Sequence, residues 1–144
     1  MPKLGLREAN VIIANALEKG RAVQVPPLAV VVIDASGHMI AAQREDGASM
    51  FRIDIALGKA WGAVAMGCSS RALAKRAQSN PNFINALVAT ADGKLLPQQG
   101  GVLIRAADGE ILGAVGISGA SGDEDEAFGA HGVEQAGLKP DAAA

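Results

Sequence analysis

Residues 28–33 form an unbroken aliphatic run, Leu-Ala-Val-Val-Val-Ile, set between Pro26-Pro27 and Asp34-Ala35-Ser36-Gly37. The prolines forbid helix at the entrance, and the β-branched side chains that follow favour an extended chain. A second apolar stretch, residues 39–42, lies beyond the glycine-containing turn and ends at Gln43-Arg44. Two strands joined so tightly make an antiparallel hairpin. A strand that is apolar at every position has no solvent face, which predicts helices on both sides of the sheet.

The remaining segments supply those helices. Leu6, Ala9, Ile13, Ala16 and Leu17 recur at helical spacing, with Arg7, Glu8, Asn15 and Glu18 opposite, and Gly20 stands where a left-handed cap would end the helix. Residues 50–66 repeat the pattern, aligning Ile53, Leu57, Trp61 and Val64. Gly58 and Gly62 each cost that helix about 1 kcal/mol relative to Ala, so something must approach its backbone there. Ser69-Ser70 is suited to cap a short helix over residues 71–78, which stops before Asn80-Pro81. Residues 82–99 read as a short helix and then an irregular stretch or edge strand.

A second hairpin follows: residues 102–105, a turn at Ala107-Asp108-Gly109, then residues 111–117. Gly113 and Gly116 in its second strand imply a bulge or a close neighbour. Asp123-Glu124-Asp125-Glu126 opens a last helix reaching about Ala136, its acidic first turn opposing the helix dipole. The order helix, hairpin, helices, hairpin, helix defines an α+β fold: an antiparallel four- to five-stranded sheet covered by helices on both faces. Any fifth strand is expected from the stretch between the hairpins. Residues 1–137 read as one domain and residues 138–144 as a frayed tail.

At 144 residues the chain is the length of one domain, and 49% hydrophobic with 19% charged residues is ordinary globular usage. Aromatic residues are only 3%. The core is therefore expected from Val, Ile, Leu and Ala, with Trp61, Phe51, Phe83 and Phe128 as its only large rings. So limited a core in one subunit points to self-association, to a dimer or higher oligomer. A net charge of −2 argues against nucleic acid as partner. The single cysteine, Cys68, forms no internal disulfide, which fits a reducing compartment. Lys3, Arg7, Glu8 and Glu18 interrupt any signal sequence, and residues 28–33 are too few to span a bilayer. The expectation is a soluble cytoplasmic chain without a membrane partner.

The string Val31-Val32-Ile33-Asp34-Ala35-Ser36-Gly37, followed by Arg44-Glu45-Asp46-Gly47-Ala48, resembles the hairpin signature of the GlcG/HbpS family, which includes haem-binding proteins and the C-terminal domain of PduO-type proteins. Ala56-Leu57-Gly58-Lys59-Ala60 is similar to its central helix. Gly100-Gly101-Val102, Gly109, and Gly113-Ala114-Val115-Gly116-Ile117-Ser118-Gly119 are similar to its second hairpin, and Asp123 to Asp125 to the start of its last helix. The resemblance spans nearly the whole chain in order. It implies a profilin-like α/β/α sandwich assembled as dimers that build larger rings. It also implies a small-molecule ligand, haem or a related tetrapyrrole, in a family that also counts unassigned products of catabolic operons among its members.

Haem needs an axial ligand, and the first helix offers no His, Met or Cys. His38 lies at a hairpin turn, as a ligand or as an exposed turn residue. His131 lies in the last helix, facing a cleft or a neighbouring subunit. Met39, Met50, Met66 and Cys68 are softer options or core filler. Arg44, Asp46, Arg52, Asp54 and Lys59 form the densest charged group. Arg44 and Lys59 are suited to grip a carboxylate, whether a haem propionate or a small organic acid. Equally, Arg44 pairs with Asp46 or Asp54 to tie hairpin to helix, and Lys59 snorkels to the surface.

Gly100, Gly101 and the loop through Ser118 offer backbone N–H groups to an anion, or simply satisfy turn geometry. The run Asp123–Glu126 reads as a solvated helix start, without the spacing of a calcium loop, and no metal site is assigned. The expected pocket lies between the central helix, Gly100-Gly101 and a second subunit, with Arg44 and Lys59 meeting the ligand's acidic groups and His131 as iron ligand. A second reading is a small cofactor-independent enzyme, or an accessory to one, acting on organic or aromatic acids. Lys59 is then the candidate acid/base and Arg44 orients the substrate carboxylate.

Overall fold

The computed structural model describes residues 3–144. Helix α1 (Leu6–Ala22) leads to strand β1 (Ala29–Asp34), which turns back as β2 (Met39–Arg44). Three helices follow: α2 (Phe51–Met66), α3 (Ser70–Ser79) and α4 (Pro81–Thr90). The second hairpin is β3 (Gly101–Arg105) and β4 (Ile111–Ser118), then α5 (Gly122–Gln135) and β5 (Lys139–Asp141) complete the chain. The sheet order is β2-β1-β4-β3-β5, and every pairing is antiparallel. This is the α+β architecture expected, with helices on both faces.

β1 is buried at Ala29 through Ile33 because alternate side chains enter different cores. Val30 and Val32 join Ile12, Ile13 and Phe128 between the sheet and α1 with α5. Val31 and Ile33 join Ala56, Ala60 and Leu103 under α2. The second core is lined by small residues, so α2 lies unusually close to the sheet. At Gly116 of β4 an added Cβ would overlap the Ala56 carbonyl of α2, which is why that strand carries glycine. Gly58 and Gly62 are matched from the other side by Leu96 and Leu95, which pack where a side chain would stand.

Several expectations are corrected. Gly20 does not cap α1: the helix runs to Ala22 with Val23 at its C-cap, and Gly20 lies inside, where a Cβ would come within 2.6 Å of Leu28. The fifth strand does not come from between the hairpins, since residues 91–100 form no strand. It comes from the segment read as a frayed tail, where Lys139, Pro140 and Asp141 pair with Arg105, Ile104 and Leu103. Of the four large rings only Phe128 is buried: Phe51 and Phe83 are exposed and Trp61 is half-buried. Ser69 caps α3 as expected, its Oγ accepting from the Ala72 N–H at 3.3 Å.

Candidate functional site

Helix α2 crosses the sheet with Lys59 on its inner face, and the residue is buried rather than snorkelling. Its Nζ donates to the Ile117 carbonyl at 2.8 Å and to Asp125 Oδ2 at 3.1 Å. The other oxygen of Asp125 accepts the Ala120 N–H at 3.0 Å. Burial pulls the Lys59 ammonium below the usual lysine range, against the pull of Asp125, and pushes the Asp125 carboxyl up, against the pull of Lys59. Gly100 and Gly101 form the wall behind it. A Cβ at Gly100 would lie 2.7 Å from Lys59 Nζ, and one at Gly101 would overlap the Lys59 carbonyl. The Gly101 N–H donates to Ser70 Oγ at 2.6 Å, so this glycine pair provides clearance for Lys59 while Ser70 takes one of its N–H groups.

Lys59 and Asp125 open onto a polar cleft of about 480 Å³. One turn pair back along α2, Arg52 reaches the same rim and donates from Nη1 to Ser118 Oγ at 3.1 Å. Gln78 and Gln98 add amide groups to the lining. At one side Gln99 donates to Asp123 and Glu126 at 2.8 and 3.0 Å, and Arg71 grips Glu126 through two hydrogen bonds of 2.9 and 2.6 Å. The run Asp123–Glu126 is thus not a wholly solvated helix start, because Asp125 and Glu126 are buried.

The structure brings Arg52, Lys59 and Ser118 together, with Gly100 and Gly101 against Lys59, and leaves Arg44, Asp46 and His131 elsewhere. Arg44 is exposed on edge strand β2, donates to the Ala48 carbonyl at 3.3 Å, lies outside this cleft and forms no ion pair among the described residues. Asp46 is exposed beside Arg21, Pro27 and Glu45. His131 is half-buried on α5 and lines neither of the two clefts along α2. Among the described residues no three His, Cys, Asp or Glu gather as a metal site. Asp125 was missed, although Phe128, Gly129 and Gly132 mark its face of α5 as the buried one.

A second cleft, about 770 Å³, opens on the outer side of α2 against the β1–β2 turn. Phe51, Leu57 and Trp61 form apolar walls, and His38, Met39 and Lys94 stand at its margin. Gly37, at φ +85°, allows the turn to lie on the Trp61 indole, where an added Cβ would be 3.0 Å from Nε1. Lys94 Nζ lies 5.9 Å from the Trp61 ring centroid, at the limit of a cation–π contact. Asp34 fixes the same turn, its Oδ1 accepting the N–H groups of Ser36 and His38 at 2.9 and 3.0 Å.

A five-stranded antiparallel sheet between helical layers, with a polar and an aromatic-walled cleft along one central helix, defines an α/β/α sandwich built around α2. The family model described as "Haem degrading protein HbpS-like" matches residues 4–134, and the chain belongs to this family. Among solved structures it is similar to a PduOC:heme complex, at 26% identity and TM-score 0.84, covering 95% of this chain and 97% of that one. A double mutant of Streptomyces reticuli HbpS is 28% identical with TM-score 0.78, covering 93% and 87%. The Klebsiella pneumoniae protein ORFY, at 22% identity and TM-score 0.84 over 95% and 93%, shares the fold. No curated protein matches the chain. Among the described residues no helix is long and apolar enough to cross a membrane.

Proposed function

We propose that this protein binds haem or a related planar tetrapyrrole in the cleft walled by Trp61 and Phe51. The observation that carries the reading is the set of groups around that one hollow: apolar rings for a flat macrocycle, His38 and Met39 as iron-ligating side chains, and Lys94 for a propionate. The polar cleft offers no His, Met, Cys or Tyr among its lining residues. His38 thus takes the place that the sequence reading gave to His131. The family description and the PduOC:heme neighbour, similar over nearly the full length of both chains, support the same ligand class. Bound there, haem would be held by His38 or Met39 and would supply an iron centre. The chain's own part is to wall off the macrocycle, to present His38 on a turn held by Asp34, and to offset the charge of a propionate.

Self-association belongs to the same reading. Met39 and Phe51, exposed apolar residues, line this cleft, and a second copy packed there would deepen it.

Trp61 is the sole tryptophan and serves as a reporter. Titration with hemin is expected to quench its fluorescence at one equivalent and to shift and sharpen the Soret band. His38→Ala alters that spectrum and His131→Ala leaves it unchanged. Unquenched Trp61 emission, or a Soret band indifferent to His38→Ala, overturns the assignment. Light scattering with and without hemin reports the oligomer.

A further inference from the structure

The polar cleft remains unused by a tetrapyrrole seated on Trp61, yet its lining sets two cations, Arg52 and Lys59, against the one carboxylate of Asp125, while at its side Glu126 is taken up by Arg71 and Gln99. Arg52 and Lys59 stand seven residues apart on α2, a separation of about two turns that puts them on one face. Their cationic heads converge on adjacent residues of β4: Arg52 Nη1 on Ser118 Oγ at 3.1 Å and Lys59 Nζ on the Ile117 carbonyl at 2.8 Å. Asp125 balances only one of the two cations. Arg52 forms no ion pair among the described residues, and its one side-chain partner there is a neutral hydroxyl. The ammonium of Lys59 has three hydrogens for the two acceptors it meets, and a guanidinium has five for the one it meets.

We propose that this cleft is a separate binding site for a small polar monocarboxylate, held between Arg52 and the unshared hydrogen of Lys59. A single negative charge completes the charge balance of the three groups. A guanidinium beside an ammonium matches the two oxygens of a carboxylate. Asp125 acts as a positioning residue: it holds Lys59 in place and turns away anions that carry further charge. The amides of Gln78 and Gln98 suit hydroxyl or carbonyl substituents, and the cleft, about 480 Å³ and predominantly polar, suits a small hydrophilic acid better than an apolar ring system. The site stands on residues the haem reading does not use.

L-lactate, with the uncharged lactamide as its matched control, probes the site by amide-resolved NMR titration of the intact protein. Lactate is expected to move the amides of Ser118, Ala120 and Gly122 saturably while lactamide leaves them still. Arg52→Gln, which keeps a donor for Ser118 but removes the charge, is expected to weaken lactate binding roughly ten- to a hundredfold. Prior loading with hemin is expected to leave the lactate titration unchanged. The proposal is overturned if lactate moves none of these amides, if lactamide moves them equally, if Arg52→Gln binds lactate as well as the parent, or if hemin displaces it. Only the last of these bears on the haem site, so failure here is distinct from failure there.

Discussion

Lys59 Nζ and Asp125 Oδ2 lie 3.1 Å apart with side chains 7% and 2% exposed, so two opposite charges are held almost wholly out of water. Their attraction offsets a desolvation cost that neither bears well alone. Lys59→Met leaves the Asp125 carboxylate buried without its partner and is expected to cost about 3–5 kcal/mol in urea unfolding. Adding Asp125→Asn, whose amide oxygen still accepts from Ala120, is expected to recover part of that loss. A double variant less stable than Lys59→Met would show that the carboxylate is not the strained group.

The β1–β2 turn carries its own pH dependence. The backbone N–H of His38, with that of Ser36, holds the Asp34 carboxyl below the usual carboxylate range, against a smaller opposing effect of burial. A folded value below the unfolded one means that the unfolded chain binds the proton more tightly. The contribution is therefore complete above the ordinary Asp value of 3.8 and is lost as pH falls through the lower folded value. The amide resonance of His38 is expected to titrate with that low midpoint and to lose the transition in Asp34→Asn. A midpoint above 3.8 would contradict the hydrogen-bond geometry.

Both hairpins, the central helix and the two-sided covering of the sheet were legible because they rest on local signals: an aliphatic run, Asp-Gly and Ser-Gly turns, and helical periodicity. The glycines of α2 and β4 were legible as close contacts, though not what approached them. The tail was misread because Lys139-Pro140-Asp141 has no strand pattern, and its pairing depends on Arg105 and the open edge of β3, which lie far away in sequence. Of the residues named from the sequence, Lys59, Arg52, Ser118, Gly100 and Gly101 lie together, whereas Arg44 was grouped with them because it is near them along the chain. Edge strand β2 turns it away from the polar cleft. Asp125 was hidden in an acidic run whose first two residues are exposed and whose last two are buried.

Glycine substitutions separate two kinds of constraint. Gly116→Ala drives a Cβ into the Ala56 carbonyl, which α2 cannot relieve without lifting off the sheet, and is expected to cost about 3 kcal/mol or more. Gly67, at φ +67° past the end of α2, has nothing within 4 Å of its absent Cβ, so Gly67→Ala meets only backbone strain. That strain amounts to about 1–2 kcal/mol. Thermal unfolding of the two variants should rank them in this order, and the reverse order would contradict the close packing of α2.

The final strand offers a sharper test because its contribution was invisible in the sequence. β5 shields the outer edge of β3, and Arg105 Nε donates to Asp141 Oδ2 at 2.8 Å. Ser69 Oγ, which caps α3, also donates to the Ala143 carbonyl at 2.6 Å, so the last residues tie the edge of the sheet to the start of α3. Deleting residues 139–144 removes these bonds and leaves Leu103 and Ile104 beside an open strand edge. Partly exposed ion pairs contribute little, while each lost hydrogen bond costs about 1 kcal/mol, so the expected destabilisation is on the order of 2 kcal/mol. An uncovered strand edge recruits another, so the truncated protein should also associate more strongly as its concentration rises. Urea unfolding and sedimentation measured together check both effects. Unchanged stability with unchanged association would mean that β5 contributes no more than a frayed end does.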